Sequence, residues 1–156
     1  FKSGAGVLTL KGNNSYSGGT DLFAGTLSVS QDANLGSGTL LINGGTLQVT
    51  GTDFNQTART INWGGGGGGF DIADANNTFS IASAFNGAGA MQKTGAGTLA
   101  LSGDSTAYTG AVDVQAGDLR LDGATLGGSV TVEDQADLGG HGTIAGATTL
   151  ASGATL

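Results

Sequence analysis

Residues 93–121 say again what residues 2–29 have already said. The first copy reads Lys2-Ser3-Gly4-Ala5-Gly6-Val7-Leu8-Thr9-Leu10-Lys11-Gly12, then Tyr16-Ser17-Gly18, then Ala24-Gly25-Thr26-Leu27-Ser28-Val29. The second reads Lys93-Thr94-Gly95-Ala96-Gly97-Thr98-Leu99-Ala100-Leu101-Ser102-Gly103, then Tyr108-Thr109-Gly110, then Ala116-Gly117-Asp118-Leu119-Arg120-Leu121. The offset is 91 residues before the tyrosine and 92 from it onward, so one residue has been inserted between Gly103 and Tyr108. An insertion inside a strand flips every following side chain to the other face, whereas a link between strands accepts it. The repeat therefore belongs to the architecture, with strands on either side of a tolerant link.

Between and within the copies, apolar residues recur at every second position. Leu8/Leu10, Leu27/Val29, Leu40/Ile42, Leu47/Val49, Ile61/Trp63, Phe70/Ile72, Phe79/Ile81, Leu99/Leu101, Val112/Val114, Leu119/Leu121 and Val130/Val132 are such pairs. Two apolar side chains flanking one small or polar residue mark a short strand with one buried face. No window carries a 3.6-residue apolar period, so the chain is expected to be all-β without helices. Most of the pairs are separated by Gly, Asn, Asp or Ser clusters suited to tight turns. Strand–turn units that recur this evenly fit a parallel β-helix, in which each coil stacks on the last, better than a sandwich.

Composition sharpens that reading. Gly supplies 32 of 156 residues and Pro none, which excludes collagen. Burying a Leu or Val yields roughly 1.5–3 kcal/mol, and ordering one residue costs about 1–2 kcal/mol of backbone entropy. With one residue in five Gly, no coil stands alone and only the stack is stable. Coils of roughly 20 residues at a spacing of about 4.8 Å give about seven coils and a rod roughly 30–35 Å long. The whole of 1–156 is expected to be a single β-helix segment, cut from a longer protein, with motif copies at 2–29 and 93–121. Two stretches interrupt the pattern. Gly51 to Ala58 is expected to form a lateral loop, and the six glycines Gly64 to Gly69 either a flexible excursion or a corner of close backbone packing.

The unit Lys-x-Gly-Ala-Gly-x-Leu-x-Leu-x-Gly, Tyr-x-Gly, Ala-Gly-x-Leu resembles the passenger-associated repeat of bacterial autotransporters. The stretch Trp63 to Ile72, the lead-in Phe85-Asn86-Gly87-Ala88-Gly89 and the tail from Leu126 to Ile144 are similar to coils of the same family. The resemblance implies a right-handed parallel β-helix, exported across the outer membrane and displayed on or shed from the cell surface. It also implies a membrane barrel elsewhere in the parent protein, so that membrane contact comes only through that barrel. It carries over no catalytic residues and no cofactor.

The residues themselves weigh against sharper chemistry. Five basic residues, Lys2, Lys11, Arg59, Lys93 and Arg120, are scattered singly and make no patch for nucleic acid or anionic lipid. Net charge is −7, with seven of the twelve carboxylates between Asp104 and Asp137. A polysaccharide-acting enzyme on this fold would cluster carboxylates, and the closest here are Asp71/Asp74 and Glu133/Asp134/Asp137. Neighbouring residues of a strand point to opposite faces, so Glu133 and Asp134 should not converge. A calcium-stabilised β-roll is the other alternative. Gly66 to Ala73 matches its Gly-Gly-x-Gly-x-Asp motif once, without the tandem copy that would complete a ligand shell. His141 is the single histidine and has no partner at a recognisable spacing. Trp63 continues an apolar pair and is expected in the core, and Tyr16 and Tyr108 occupy equivalent packing positions.

A non-enzymatic stalk and adhesion or self-association scaffold is the resulting expectation, with no catalytic, cofactor or metal site. Its expected partners are a host-cell receptor, a matrix protein, a glycan or a second copy of itself, engaged through the irregular stretches 51–58 and 64–69.

Overall fold

The computed structural model describes residues 1–156 and contains 18 strands and one short helical turn. The first third of the chain forms β1 (Val7–Thr9), β2 (Thr20–Leu22), β3 (Thr26–Val29), β4 (Leu40–Ile42) and β5 (Thr46–Val49). The middle forms β6 (Gln56–Thr57), β7 (Ile61–Trp63), β8 (Gly68–Ile72), β9 (Thr78–Ile81), β10 (Met91–Thr94) and β11 (Thr98–Leu101). The last third forms β12 (Val112–Val114), β13 (Gly117–Leu121), β14 (Thr125–Leu126), β15 (Val130–Val132), β16 (Ala136–Gly140), β17 (Thr143–Ile144) and β18 (Thr148–Leu150).

Every strand pairing is parallel, and the chain returns to the same sheet once per coil. The principal face is an eight-stranded sheet in the order β1-β3-β5-β8-β10-β12-β15-β18. A second face stacks β16-β13-β11-β9-β6. The third is interrupted: β2-β4-β7 make its first part, single bridges at Gly87–Tyr108 and Ser105–Leu126 its middle, and β14-β17 its end. The result is a three-sided β-solenoid of about seven turns, roughly 34 Å long at about 4.8 Å per strand spacing. The expected all-β parallel helix is therefore the fold. A single 3-10 turn, Asp32–Leu35, is the one departure from strand and loop.

Register explains the alternation read from the sequence. On the principal face Leu8, Leu27, Leu47, Phe70, Lys93, Val114, Val132 and Leu150 stand one above another. Successive members lie 18 to 23 residues apart, the coil length. On the second face Phe79, Leu99, Leu119 and Leu138 form the matching column. The buried apolar members of these columns meet in one core of 30 residues, with Leu8 and Leu150 exposed at the two ends of the principal face. Three rings fill its widest part: Trp63 stacks on Phe70 at 5.6 Å, and Phe85 meets both edge-on at 5.8 and 6.2 Å.

The two irregular stretches are absorbed into this plan. Residues 51–58 are not a lateral excursion: Phe54 is buried and lies 4.8 Å edge-on from Phe79, and Gln56–Thr57 is the first strand of the second face. The glycine run is the close-packed corner. A Cβ at Gly68 (φ +154°) would stand 2.3 Å from Ile42 Cγ2 and 2.5 Å from the Gly45 carbonyl oxygen, so no other residue fits.

The sequence repeat and the structural repeat are out of phase. Lys2 and β2 lie on the third face, whereas their counterparts, Lys93 in β10 and the strand β12, lie on the principal face. Likewise β1 and β3 belong to the principal face, and their counterparts β11 and β13 to the second. The motif copies are thus related by four turns and one further face. The inserted residue falls in the link before Tyr108, as expected, but that link is pinned. Ser105 there is buried, donates its backbone N–H to the Thr125 carbonyl and accepts the Phe85 N–H on its hydroxyl.

Candidate functional site

The motif's lysine is where the structure adds most to the sequence. Lys93 occupies the apolar column between Phe70 and Val114 and is fully buried. Its ammonium turns toward the corner between the principal and second faces. There it donates to the carbonyls of Thr94 (2.8 Å), Gly95 (2.9 Å) and Ala116 (2.9 Å). Two of those carbonyls belong to one coil and the third to the next, so one side chain ties consecutive coils together. Burial lowers the Lys93 pKa to about 8, against the opposing pull of the Asp118 and Asp71 carboxylates.

The first copy builds the same clamp. Lys2 Nζ donates to Ala24 O at 2.9 Å and to Gly4 O, which are the counterparts of Ala116 and Gly95. Gly25 and Gly117 complete the pattern with φ of +69° and +62°. A Cβ on Gly117 would lie 2.5 Å from the Gly97 carbonyl oxygen and 2.6 Å from that of Gly95. The motif's Lys, its two glycines and its Ala-Gly pair are therefore the parts of one corner. Sequence reading found the recurrence and missed the burial, because an isolated lysine ordinarily signals a solvated surface. Its equivalence in both copies was the available signal.

The tyrosine of the motif has a second task. Tyr108 is buried, and its hydroxyl donates to the Gly89 carbonyl at 2.7 Å. Trp63 Nε1 donates to the same oxygen at 3.0 Å. Burial holds the Tyr108 phenol well above the ordinary tyrosine range. Trp63 is thus a core residue with a satisfied N–H. Tyr16, the counterpart in the first copy, is more than a third exposed and shares a hydrogen bond with Thr20 Oγ1 at 2.8 Å.

The acidic candidates are not brought together. Asp71 projects outward from β8 and accepts from Gln48 Nε2 at 2.7 Å, while Asp74 sits in the following corner and accepts from the Asn76 backbone. Glu133 and Asp134 occupy a turn after β15 closed by Gln135 at φ 63°, not successive positions of a strand. Asp137 lies in β16, in register with Asp118. The Gly66 to Ala73 segment forms β8 and its corner. The register neighbours of its Asp71 are Gln48 and Thr94 rather than the aspartate of a second glycine–aspartate turn. No group of three or more His, Asp or Glu side chains is arranged to hold a metal ion. His141 is exposed at a bend.

Two polar concavities lie on the second face. A groove of about 800 Å³ runs beside Asp32, Gln56, Arg59, Ser80 and Ser102. Arg59 does not offer its charge to that groove. Its guanidinium grips Asp32 (Nε to Oδ1, 2.7 Å) and donates to the carbonyls of Gly38 and Gly36, fixing the 3-10 turn against β6. A second cleft of about 500 Å³ adjoins it, sharing Gln56 and Ser80.

Comparison with known proteins bears on this geometry. A family model described as passenger-associated-transport-repeat matches residues 1–29, 24–49 and 91–121, just over half of the chain. The "Adhesin BmaC autotransporter" of Brucella suis biovar 1 (strain 1330) is 42% identical over 134 residues. That alignment covers 85% of this chain and 4% of the relative, so the chain spans only a small part of that protein's length. No solved structure matches. The second family match, 24–49, joins two Gly-x-Leu-x-Val strands, β3 and β5, that lie directly above one another on the principal face.

Proposed function

The chain belongs to the passenger-associated-transport-repeat family of autotransporter passengers, and on that premise we propose that it is a non-enzymatic adhesive segment, displayed at the bacterial surface or secreted. Its solenoid acts as a stiff stalk, and its second face as the contact surface. The observation that carries this reading is the division of labour among its polar groups. Lys93, Tyr108, Arg59 and Trp63 are spent holding coil to coil. The irregular coil 51–58, by contrast, leaves exposed polar side chains above a rigid floor. The relative's name supports adhesion for a passenger of this kind. A pure spacer role is the second reading, favoured by the regular stacking of the principal face.

The test is binding of the folded 156-residue chain to host-cell monolayers and to immobilised matrix proteins at physiological salt. Removal of 51–58 is unsuitable as a control, because it would take Phe54 out of the core. The comparison is Asn55→Ala/Gln56→Ala, which changes exposed side chains and leaves far-UV circular dichroism unaltered. Saturable binding reduced by those substitutions supports the adhesive reading. A folded chain that binds neither cells nor matrix overturns it and leaves the spacer.

A further inference from the structure

We propose that the cleft between the 51–58 coil and the turn before β9 is a binding site for an uncharged glycan; this rests on the adhesive reading and gives it a ligand class. The cleft, about 500 Å³, is lined by Thr52, Asn55, Gln56, Asn76, Thr78 and Ser80 over the buried Asn77. No lining side chain is apolar and none is charged. Three carboxamides and three hydroxyls converge on it from adjacent coils. The carboxamides of Asn55 and Gln56 each present a donor and an acceptor side by side, the complement of neighbouring hydroxyls on a sugar ring, while Asn76 Nδ2 donates to Asp74 Oδ1 at 3.2 Å and leaves its Oδ1 and second N–H to the cleft. An anionic ligand would need a free cation. The nearest is Arg59, already committed to Asp32, Gly36 and Gly38. An apolar ligand would find no apolar side chain to cover.

The site is held ready. Asn77 ties its two walls together, donating through Nδ2 to the carbonyls of Gly51 (2.9 Å) and Phe54 (3.1 Å). The Asn77 backbone N–H closes the turn on Asp74 O at 3.0 Å, and the Asn76 N–H is fixed on Asp74 Oδ1 at 2.9 Å. Beneath lies the Phe54–Phe79 pair. Walls locked this way lose little freedom when a ligand binds, which is what a weak, hydrogen-bonded ligand requires. The adjoining groove beside Ser37 and Ser102 extends the same polar surface through the shared Gln56 and Ser80, giving room for more than one sugar unit.

The experiment is a titration of the isotope-labelled chain with maltotetraose, laminaritetraose, chitotetraose and lacto-N-neotetraose, following the side-chain amide signals of Asn55, Gln56, Asn76 and Asn77. A heparin tetrasaccharide and an extended neutral peptide are run in parallel. We expect at least one neutral oligosaccharide to shift those signals saturably, and Gln56→Ala/Asn76→Ala to weaken it at least tenfold with thermal stability unchanged. Cell binding should then fall by a similar factor when surface glycans are removed enzymatically. Cell binding that survives glycan removal, or shifts produced only by heparin or the peptide, overturns the glycan assignment while adhesion stands. Absence of binding to any cell or matrix surface overturns the adhesive reading itself.

Discussion

The Gly89 carbonyl allows a sharp quantitative test of how the coils are held together. That buried oxygen receives two side-chain donors from different coils, Trp63 Nε1 at 3.0 Å and Tyr108 Oη at 2.7 Å. Removing the hydroxyl with Tyr108→Phe deletes that bond and a longer one to the Ala111 carbonyl (3.3 Å), but leaves the first oxygen bonded to Trp63 and the second to the Met91 N–H, so the cost should be about 0.5–1.5 kcal/mol. Trp63→Phe likewise leaves Tyr108 in place but shrinks a ring packed on Phe70 and Phe85, and should cost roughly 2–4 kcal/mol. The double variant differs in kind. Both donors are gone and a buried carbonyl is stranded, adding about 1–2 kcal/mol beyond the sum of the singles. Urea unfolding followed by far-UV circular dichroism is the assay, since Trp63 is the sole tryptophan and cannot report on its own replacement. If the double variant equals the sum within about 0.5 kcal/mol, water or a backbone shift reaches Gly89 and the shared-acceptor account is wrong.

Two further outcomes follow from the corners and the clamp. Gly68→Ala should cost at least about 3 kcal/mol through overlap and a disfavoured φ, whereas Gly65→Ala, with nothing within 4 Å of its added Cβ, should lie within about 1 kcal/mol of the parent. Equal thermal shifts for the two would show that the glycine run is not the packed corner described. For Lys93, the folded pKa of about 8 lies below the 10.5 of the free side chain. Between those values the unfolded chain binds more protons, so stability rises as pH climbs from about 8 toward 10.5. Tyr108 acts oppositely: its raised pKa means that stability falls once the unfolded phenol ionises above about pH 10. Melting temperatures of the parent and Lys93→Met across pH 7.5–11 should show the climb in the parent alone. A climb retained in Lys93→Met would assign it to another group.

Most of the solenoid was readable because its dominant interaction repeats locally. An apolar pair such as Phe79/Ile81 signals its strand by alternation alone, whichever coil it pairs with. What the sequence did not disclose were contacts between residues about twenty positions apart. The burial of Lys93 leaves no trace in the sequence because its three acceptors are backbone carbonyls, which have no sequence signature. Residues 51–58 read as an excursion because Phe54 lacks an alternating partner and finds Phe79 only in the next coil. The Asp32–Arg59 pair joins a 3-10 turn to a two-residue strand, neither of which has a recognisable period. The candidate glycan cleft was half visible. Its position at 51–58 was legible, but the wall supplied by Asn76 and Thr78 was not, since the register that opposes them to Gln56 depends on the length of the intervening coil.

The phase slip between motif and coil bears on how such a rod meets its surroundings. A copy displaced by four turns and one face points 120° away from its predecessor, like a later tread on a spiral stair. Three copies at this spacing would face three different directions and regain the first bearing after thirteen turns, about 62 Å along the axis. Any feature keyed to the motif's corner is then offered all around the shaft instead of along one side, and a surface approaching from any quarter meets one.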